Sequence, residues 1–125
     1  MKSLVNWRNP EKTAIFTDFG EVVTYGQLNK EVLLDSKIFD KKDLLFIIGR
    51  NDLVTLRIYL AAFEAGAVPL LLGADLSETS LISLIETYSP SKLFLPKEKY
   101  RSLSGLKIEN EFDNEQNFCS LIKIN

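Results

Sequence analysis

The sequence contains no histidine, one cysteine and only six glycines in 125 residues. Histidine is the most common general base and metal ligand, so its absence removes the usual centre of acid–base or metal chemistry. The single Cys119 excludes an internal disulfide and cannot by itself form a structural zinc site. Fifteen basic and seventeen acidic residues are spread along the chain and give a net charge of −2. We therefore expect no nucleic-acid partner, because that binding needs a basic patch.

Long apolar runs are also missing, and no stretch approaches the roughly 20 residues that a membrane-spanning helix needs. The segment Met1 to Pro10 is too polar for the apolar region of a secretory signal. We expect a cytoplasmic protein without a membrane partner. Hydrophobic residues make up 46% and charged residues 26% of the chain, which indicates one globular domain over residues 1–125. Its C-terminal part, residues 97–125, has the weaker and less regular pattern.

The first elements predicted are a β-hairpin and a helix. Two β-rich runs, Thr13 to Asp18 and Glu21 to Thr24, flank a short turn that contains glycine. Thr24 stands three residues before Gln27, which is the spacing of a helix-capping box. We predict a helix from about Tyr25 to Phe39. Its apolar face is expected to carry the following residues: Leu28, Val32 and Phe39, with Leu33 alongside.

Strands and helices then alternate twice. The apolar run Leu44 to Gly49 is typical of a central parallel strand, because it is short and lacks alternation. The remaining predicted elements, in chain order, are a helix capped by Asn51 or Asp52 and ended by Gly66, a strand Val68 to Leu72, a helix capped by Ser77, and a strand Lys92 to Leu95. The second helix is expected to present the row Leu53, Leu56, Leu60 and Phe63, with Val54, Ile58, Ala61 and Ala65 on another face. The third is expected to carry Leu81, Leu84, Ile85 and Tyr88.

This alternation predicts an α/β fold, a parallel-sheet, three-layer subdomain of flavodoxin or Rossmann type with an N-terminal β-hairpin. In the C-terminal part we predict a turn at Ser102 to Gly105. The last apolar stretch, Phe118 to Ile124, is interpreted as a further strand, complete or unfinished.

A phosphate-binding loop is not recognisable. The turn Gly49 to Asp52 has one glycine, where such loops need several so that backbone amides approach the anion. Arg50 is a candidate anion ligand there, although a solvated turn is the favoured interpretation. Asp75 is interpreted as a turn residue, and Cys119 as a small buried apolar residue. No catalytic, cofactor-binding or metal-binding residue is predicted.

Two motifs resemble known sequences. Pro10 to Ile15, followed by Thr24-Tyr25-Gly26-Gln27-Leu28, resembles the start of adenylate-forming ligases, the superfamily of acyl-CoA synthetases and nonribosomal adenylation domains. The run from Leu60 to Leu70 is similar to the second core motif of the same superfamily. After it, Leu70 to Asp75 departs from the family pattern, with the proline moved earlier and a second proline missing. The structural motif residues that the resemblance implies are Thr24, Tyr25, Leu28, Ala65, Gly66 and Pro69.

The resemblance implies a function for a parent enzyme rather than for these residues. Such ligases use ATP and Mg²⁺ to activate a carboxylic acid as its acyl-AMP and pass it to a thiol, coenzyme A or a carrier arm. Their ATP loop, rich in Ser, Thr and Gly and ending in Pro-Lys, follows the motifs and has no counterpart in residues 1–125. We therefore expect an N-terminal portion that is inactive alone.

The partner implied by the resemblance is the remainder of the parent enzyme. A homodimer through an open strand edge at Phe118 to Ile124 is a further possibility. The alternative is a free-standing α/β interaction or regulatory module without catalysis.

Overall fold

The structure is a computed structural model that describes residues 9–18, 20–49, 52–73, 75–96, 107–113 and 118–123, the last two segments by their backbone. The chain divides into two compact units. The first comprises Met1–Lys41 with Asn51–Ala67, and the second comprises Lys42–Arg50 with Val68–Asn125. The predicted turn at 102–105 lies outside the described residues.

The first unit opens with the predicted hairpin. Strands β1 (Thr13–Phe16) and β2 (Val22–Thr24) pair antiparallel, with a register irregularity between Thr13 and Ile15. Helix α1 (Tyr25–Asp35) follows β2 without a linker, and the capping box at Thr24 is present as predicted. Leu28 and Val32 are buried on α1, whereas Leu33 is 41% exposed and lies outside the core.

The predicted helix to Phe39 is partly wrong at its C-terminal end. The α-helix stops at Asp35, and a 3₁₀ turn (Ser36–Ile38) continues it. The Ser36 hydroxyl donates to the Leu33 carbonyl at 2.7 Å, a local side-chain bond that competes with the helical ladder. Phe39 is buried nonetheless. The apolar spacing of Phe39 therefore predicted its burial correctly, but it was wrong in placing Phe39 in the helix.

Helix α2 (Leu53–Ala65) completes the first unit. Of the two predicted caps, Asp52 is the one observed, and its carboxylate accepts from the Thr55 amide at 2.9 Å. Val54, Ile58 and Ala61 are buried, while Leu56 and Phe63 of the other apolar row are 39% and 42% exposed. The described residues contain no helix long and apolar enough to cross a membrane.

The described residues of the second unit form a five-stranded sheet. Strands β3 (Leu44–Gly49), β4 (Val68–Gly73) and β5 (Lys92–Pro96) are parallel, with β3 in the middle. Helix α3 (Glu78–Tyr88) precedes β5 and begins at the predicted cap Ser77. These elements confirm the α/β class and the alternation of strand and helix.

The core of this unit is formed by alternate strand residues and one helix. Residues from β3, β5 and α3 form a buried cluster, namely Phe46, Ile48, Leu93, Leu95 and Leu81. Leu84 and Ile85 pack against it as predicted. Tyr88 lies on α3 as predicted, but it is the last residue of the helix and is 57% exposed, so it is not part of this core. Leu45, Ile47 and Phe94 are fully buried as well. Burial of successive residues explains why these strands lack alternation.

The C-terminal strands make the sheet mixed rather than wholly parallel. Strand β7 (Phe118–Lys123) pairs antiparallel with both β5 and β6 (Lys107–Asp113). The sheet order is β4-β3-β5-β7-β6. The predicted last strand therefore exists, but it lies inside the sheet rather than at an open edge. The acidic segment that forms β6 was not predicted as a strand.

Candidate functional site

The first motif joins the hairpin to α1 and uses every amide of the first helical turn. The Tyr25 amide donates to the Lys12 carbonyl and the Gly26 amide to the Pro10 carbonyl, each at 2.9 Å. The Gln27 amide donates to Thr24 Oγ1 at 3.2 Å. In return, the Thr24 amide donates to Gln27 Oε1 at 3.0 Å. A helix N-terminus binds an anion only through free amides, so this one is closed to phosphate.

Gly26 within that motif is required by a close approach of the backbone. A Cβ added at Gly26 would lie 3.0 Å from Pro10 Cβ and 3.1 Å from the Pro10 carbonyl oxygen. Because the Gly26 amide bonds the same carbonyl, the contact cannot open without losing the bond. The glycine of the motif therefore positions the segment before β1 against the start of α1.

The second motif ends α2 and leads into β4. Gly66 adopts φ +79°, the left-handed conformation that glycine accepts without strain. The amides of Gly66 and Ala67 donate to the carbonyls of Phe63 and Ala62, at 3.0 and 2.9 Å. The space where a Gly66 side chain would stand is bordered by Lys41 Cγ at 3.2 Å. The Ala-Gly step is thus a helix stop, and Ala65 is its last helical residue.

Pro69 lies one residue inside β4, which has a single neighbour in the described sheet. The Val68 amide donates to the Asp43 carbonyl at 2.7 Å and so points toward β3. Amides of successive strand residues point in opposite directions, so residue 69 faces away from β3. Proline is tolerated there because no ladder hydrogen bond needs its missing N–H.

A largely buried ion pair lies at the amino ends of β3 and β5. Lys92 Nζ is 3.1 Å from Asp43 Oδ2, and the two side chains are 5% and 14% exposed. Beside it, the Leu44 amide donates to Ser91 Oγ at 3.2 Å, and the Ser91 amide donates to the Leu44 carbonyl at 2.9 Å. We did not predict this pair from the sequence. The sequence feature that could have indicated it is Lys92, a charged residue at the first position of an otherwise apolar strand.

In the first unit, a second ion pair joins α1 to α2. Arg57 Nε donates to Asp35 Oδ2 at 2.8 Å, and Arg57 Nη1 lies 3.6 Å from Glu31 Oε2. Arg57 is the only charged residue of α2 besides Glu64. Since its guanidinium is engaged by two carboxylates, it serves the packing of the two helices.

The remaining polar features do not converge on one centre. Two buried oxygens lack a hydrogen-bond partner within the described residues, Thr55 Oγ1 and Glu64 Oε2. Both belong to α2, but their separation from position 55 to 64 is about two and a half helical turns, so they face opposite sides. The described residues also contain no group of acidic or cysteine side chains that could hold a metal ion.

The sheet order identifies where a ligand site of an open α/β sheet is expected. The chain passes from β3 to β4 on one side and then to β5 on the other. Ligands of such sheets bind outside the carboxyl ends of strands at this switch point. Arg50 follows β3 directly and lies outside the described residues, so its proposed role stays a prediction. The side chain of Cys119 also lies outside the described part of the structure, although its backbone belongs to β7.

Asp75 occupies an exposed turn after β4. Its carboxylate lies 2.6 Å from the position that a Gly73 Cβ would take. The interpretation of Asp75 as a turn residue agrees with this placement.

The motif residues lie in or beside three elements. Thr24, Tyr25 and Leu28 start α1, Ala65 and Gly66 end α2, and Pro69 lies in β4. Each contact described for them shapes the backbone. Their membership of a family motif stays a prediction from the sequence.

Comparison with known proteins gives matches only by structure. No protein-family profile matches the sequence, and no curated protein does. MatB from Rhodopseudomonas palustris is similar in both its apo and its ATP-bound crystal structures, with a TM-score of 0.64 and 24% identity over 67% of this chain. CmiS6 is similar with a TM-score of 0.55 and 22% identity over 66% of this chain.

The matched regions are a small part of those proteins. The chain spans 18% of the length of MatB and 24% of CmiS6. The likeness is one of fold, and it supports the fold that the resemblance to the adenylate-forming superfamily predicts.

Proposed function

We propose that this chain is the N-terminal portion of an AMP-forming acid ligase, in which it builds scaffold and carries no catalytic residue. The parent enzyme would activate a carboxylic acid with ATP and Mg²⁺ and pass the acyl group to a thiol, coenzyme A or a carrier arm. This chain's partner would be the remainder of that enzyme, in the cytoplasm.

The observation that carries the proposal is the agreement between the sequence motifs and the fold. The family motifs were identified in the sequence, at 24–28 and 60–70. The structural likeness to ATP-bound MatB and to CmiS6 comes from the backbone and supports the same superfamily. Neither signal names an acyl substrate.

The geometry also supports a scaffold role for this segment. The first amides of α1 are bonded to Thr24, Pro10 and Lys12. Capping side chains on α2 and α3, Asp52 and Ser77, each accept one amide of the first turn. A segment whose helix starts are capped by its own residues is suited to holding elements in place, and ATP would be held by residues that follow.

The test is the reading frame beyond the codon for Asn125. We expect it to continue into a loop rich in Ser, Thr and Gly that ends in Pro-Lys, because that loop follows the two motifs in the superfamily. A stop codon directly after Asn125 would exclude the ligase portion and favour the free-standing interaction or regulatory module.

A further inference from the structure

Strand β4 is an uncharged edge of the described sheet. Its six residues, Val68–Gly73, contain no Lys, Arg, Asp or Glu. Val68 and Leu71 are each 54% exposed, and Leu70 is 41% exposed. An exposed apolar edge strand is a template for pairing with another strand, and proteins usually blunt it with charge, proline or a bulge. On β4 only the proline is present.

The direction of the backbone groups shows what Pro69 does there. Since the Val68 amide donates to Asp43 on the β3 side, the outward positions are 69, 71 and 73. Pro69 has no amide hydrogen, and the Gly73 carbonyl already accepts from the Leu76 amide at 3.1 Å. Among the described residues of β4, Leu71 is therefore the outward position that offers both a donor and an acceptor to a further strand.

We infer that Pro69 keeps β4 as an edge of the described sheet by preventing it from pairing with β4 of a second copy of this chain. In a symmetric antiparallel pair, residue 69 of each copy faces the other strand, so the missing N–H removes two hydrogen bonds at once. In the register that places residue 69 of each copy opposite Leu71 of the other, the two lost bonds are those that the two Leu71 carbonyls would accept. This inference is independent of the proposed function.

The opposite edge of the described sheet is β6, which has two other features that oppose strand pairing, namely charge and an irregular register. β6 has the sequence Lys-Ile-Glu-Asn-Glu-Phe-Asp, in which alternate positions are charged. Its pairing with β7 also shifts register between Ile108 and Asn110. Charge and an irregular register both oppose edge pairing. Pro69 has the corresponding effect on β4, because it too opposes pairing with a further strand.

The experiment compares three variants of the full 125-residue chain with the unsubstituted chain. Pro69→Val restores the outward amide and adds a residue that favours strands. Leu70→Val is the matched control, because residue 70 faces β3 and the outward edge stays unchanged. Pro69→Val/Leu71→Pro moves the proline two positions along the same edge. Mass is measured by light scattering over a range of concentrations, and the amides of residues 68–73 are followed by hydrogen exchange.

We expect Pro69→Val to double in mass as its concentration rises and to gain concentration-dependent protection at the outward amides. The control and the double variant should keep the mass of the unsubstituted chain. An unchanged mass and unchanged protection in Pro69→Val would overturn the inference. So would loss of its folded state in circular dichroism, since an outward amide should not affect folding. Concentration-dependent protection of β4 in the unsubstituted chain would overturn it as well.

Discussion

The Thr24 hydroxyl accepts the Gln27 amide and so satisfies one of the free donors at the start of α1. Replacing this cap by alanine removes the acceptor, and we expect Thr24→Ala to lower the free energy of unfolding by about 1 kcal/mol. Chemical denaturation followed by circular dichroism measures the change. Thr79→Ala is the control, because Thr79 is an exposed residue inside α3 and not its cap. Equal midpoints for the two variants would contradict the assigned cap.

Two glycines of the first unit have nearly the same positive φ but different surroundings. Gly20 has φ +80° and nothing within 4 Å of the position that a Cβ would take, whereas at Gly66 that position is 3.2 Å from Lys41 Cγ. Gly20→Ala should lower stability by about 1 kcal/mol through the left-handed backbone alone. Gly66→Ala should lower it further, because Lys41 must also move.

The double-mutant comparison separates these two contributions. Lys41→Ala in the Gly66→Ala background should recover the additional loss and leave the backbone part. Thermal or denaturant unfolding is measured for the unsubstituted chain, for Gly66→Ala, for Lys41→Ala and for the double variant. If Gly20→Ala destabilises more than Gly66→Ala, the crowding by Lys41 is not a contributor.

At the scale of elements, the alternation of amide direction along β4 makes a prediction about proline. Residue 70 faces β3, so Leu70→Pro removes a ladder hydrogen bond, and we expect a loss of about 2 kcal/mol or more. Leu71→Pro affects an outward amide and should cost less than half as much. Denaturation midpoints of the two variants test the register. Equal losses would show that the direction assigned from Val68 is wrong.

The buried pair that joins the starts of β3 and β5 makes a second prediction at this scale. Lys92→Met leaves Asp43 without its cation, and Asp43→Asn leaves Lys92 charged and only 5% exposed. Each should lower the free energy of unfolding by about 3 kcal/mol, since breaking a buried pair leaves an uncompensated charge. The double variant should lose less than the sum. Additive losses in the same denaturation experiment would mean that the two side chains do not interact.

The elements differ in how far the sequence predicts them, and the reason is physical. Gly66 and the Thr24–Gln27 box were predicted because they act through local geometry. The end of α1 was predicted wrongly. The spacing of Phe39 indicates that its side chain is buried, but it does not indicate whether the backbone at this position is helical. The β6 segment was missed because edge strands accept charge, so an acidic strand and a solvated loop have similar sequences. The Asp43–Lys92 pair joins residues far apart in the chain, which no local pattern records.

At the scale of the whole molecule, the chain divides into two compact units, and the fold matches a small part of MatB and CmiS6. The fold class follows from the alternation of strands and helices, whereas the scaffold role of the motifs is a proposal based on their caps and turns. A ligand site could not be predicted to the same depth, because the switch point between β3 and β5 depends on sheet order, which the sequence alone leaves open.

The central claim is that this chain provides scaffold to an AMP-forming ligase and has no such activity itself. ATP–pyrophosphate exchange in the presence of carboxylic acids tests it most directly, with the purified 125-residue chain compared with the polypeptide encoded by the complete reading frame. We predict exchange by the complete polypeptide and none by the chain alone. Exchange by the chain alone that persists through further purification would contradict the account.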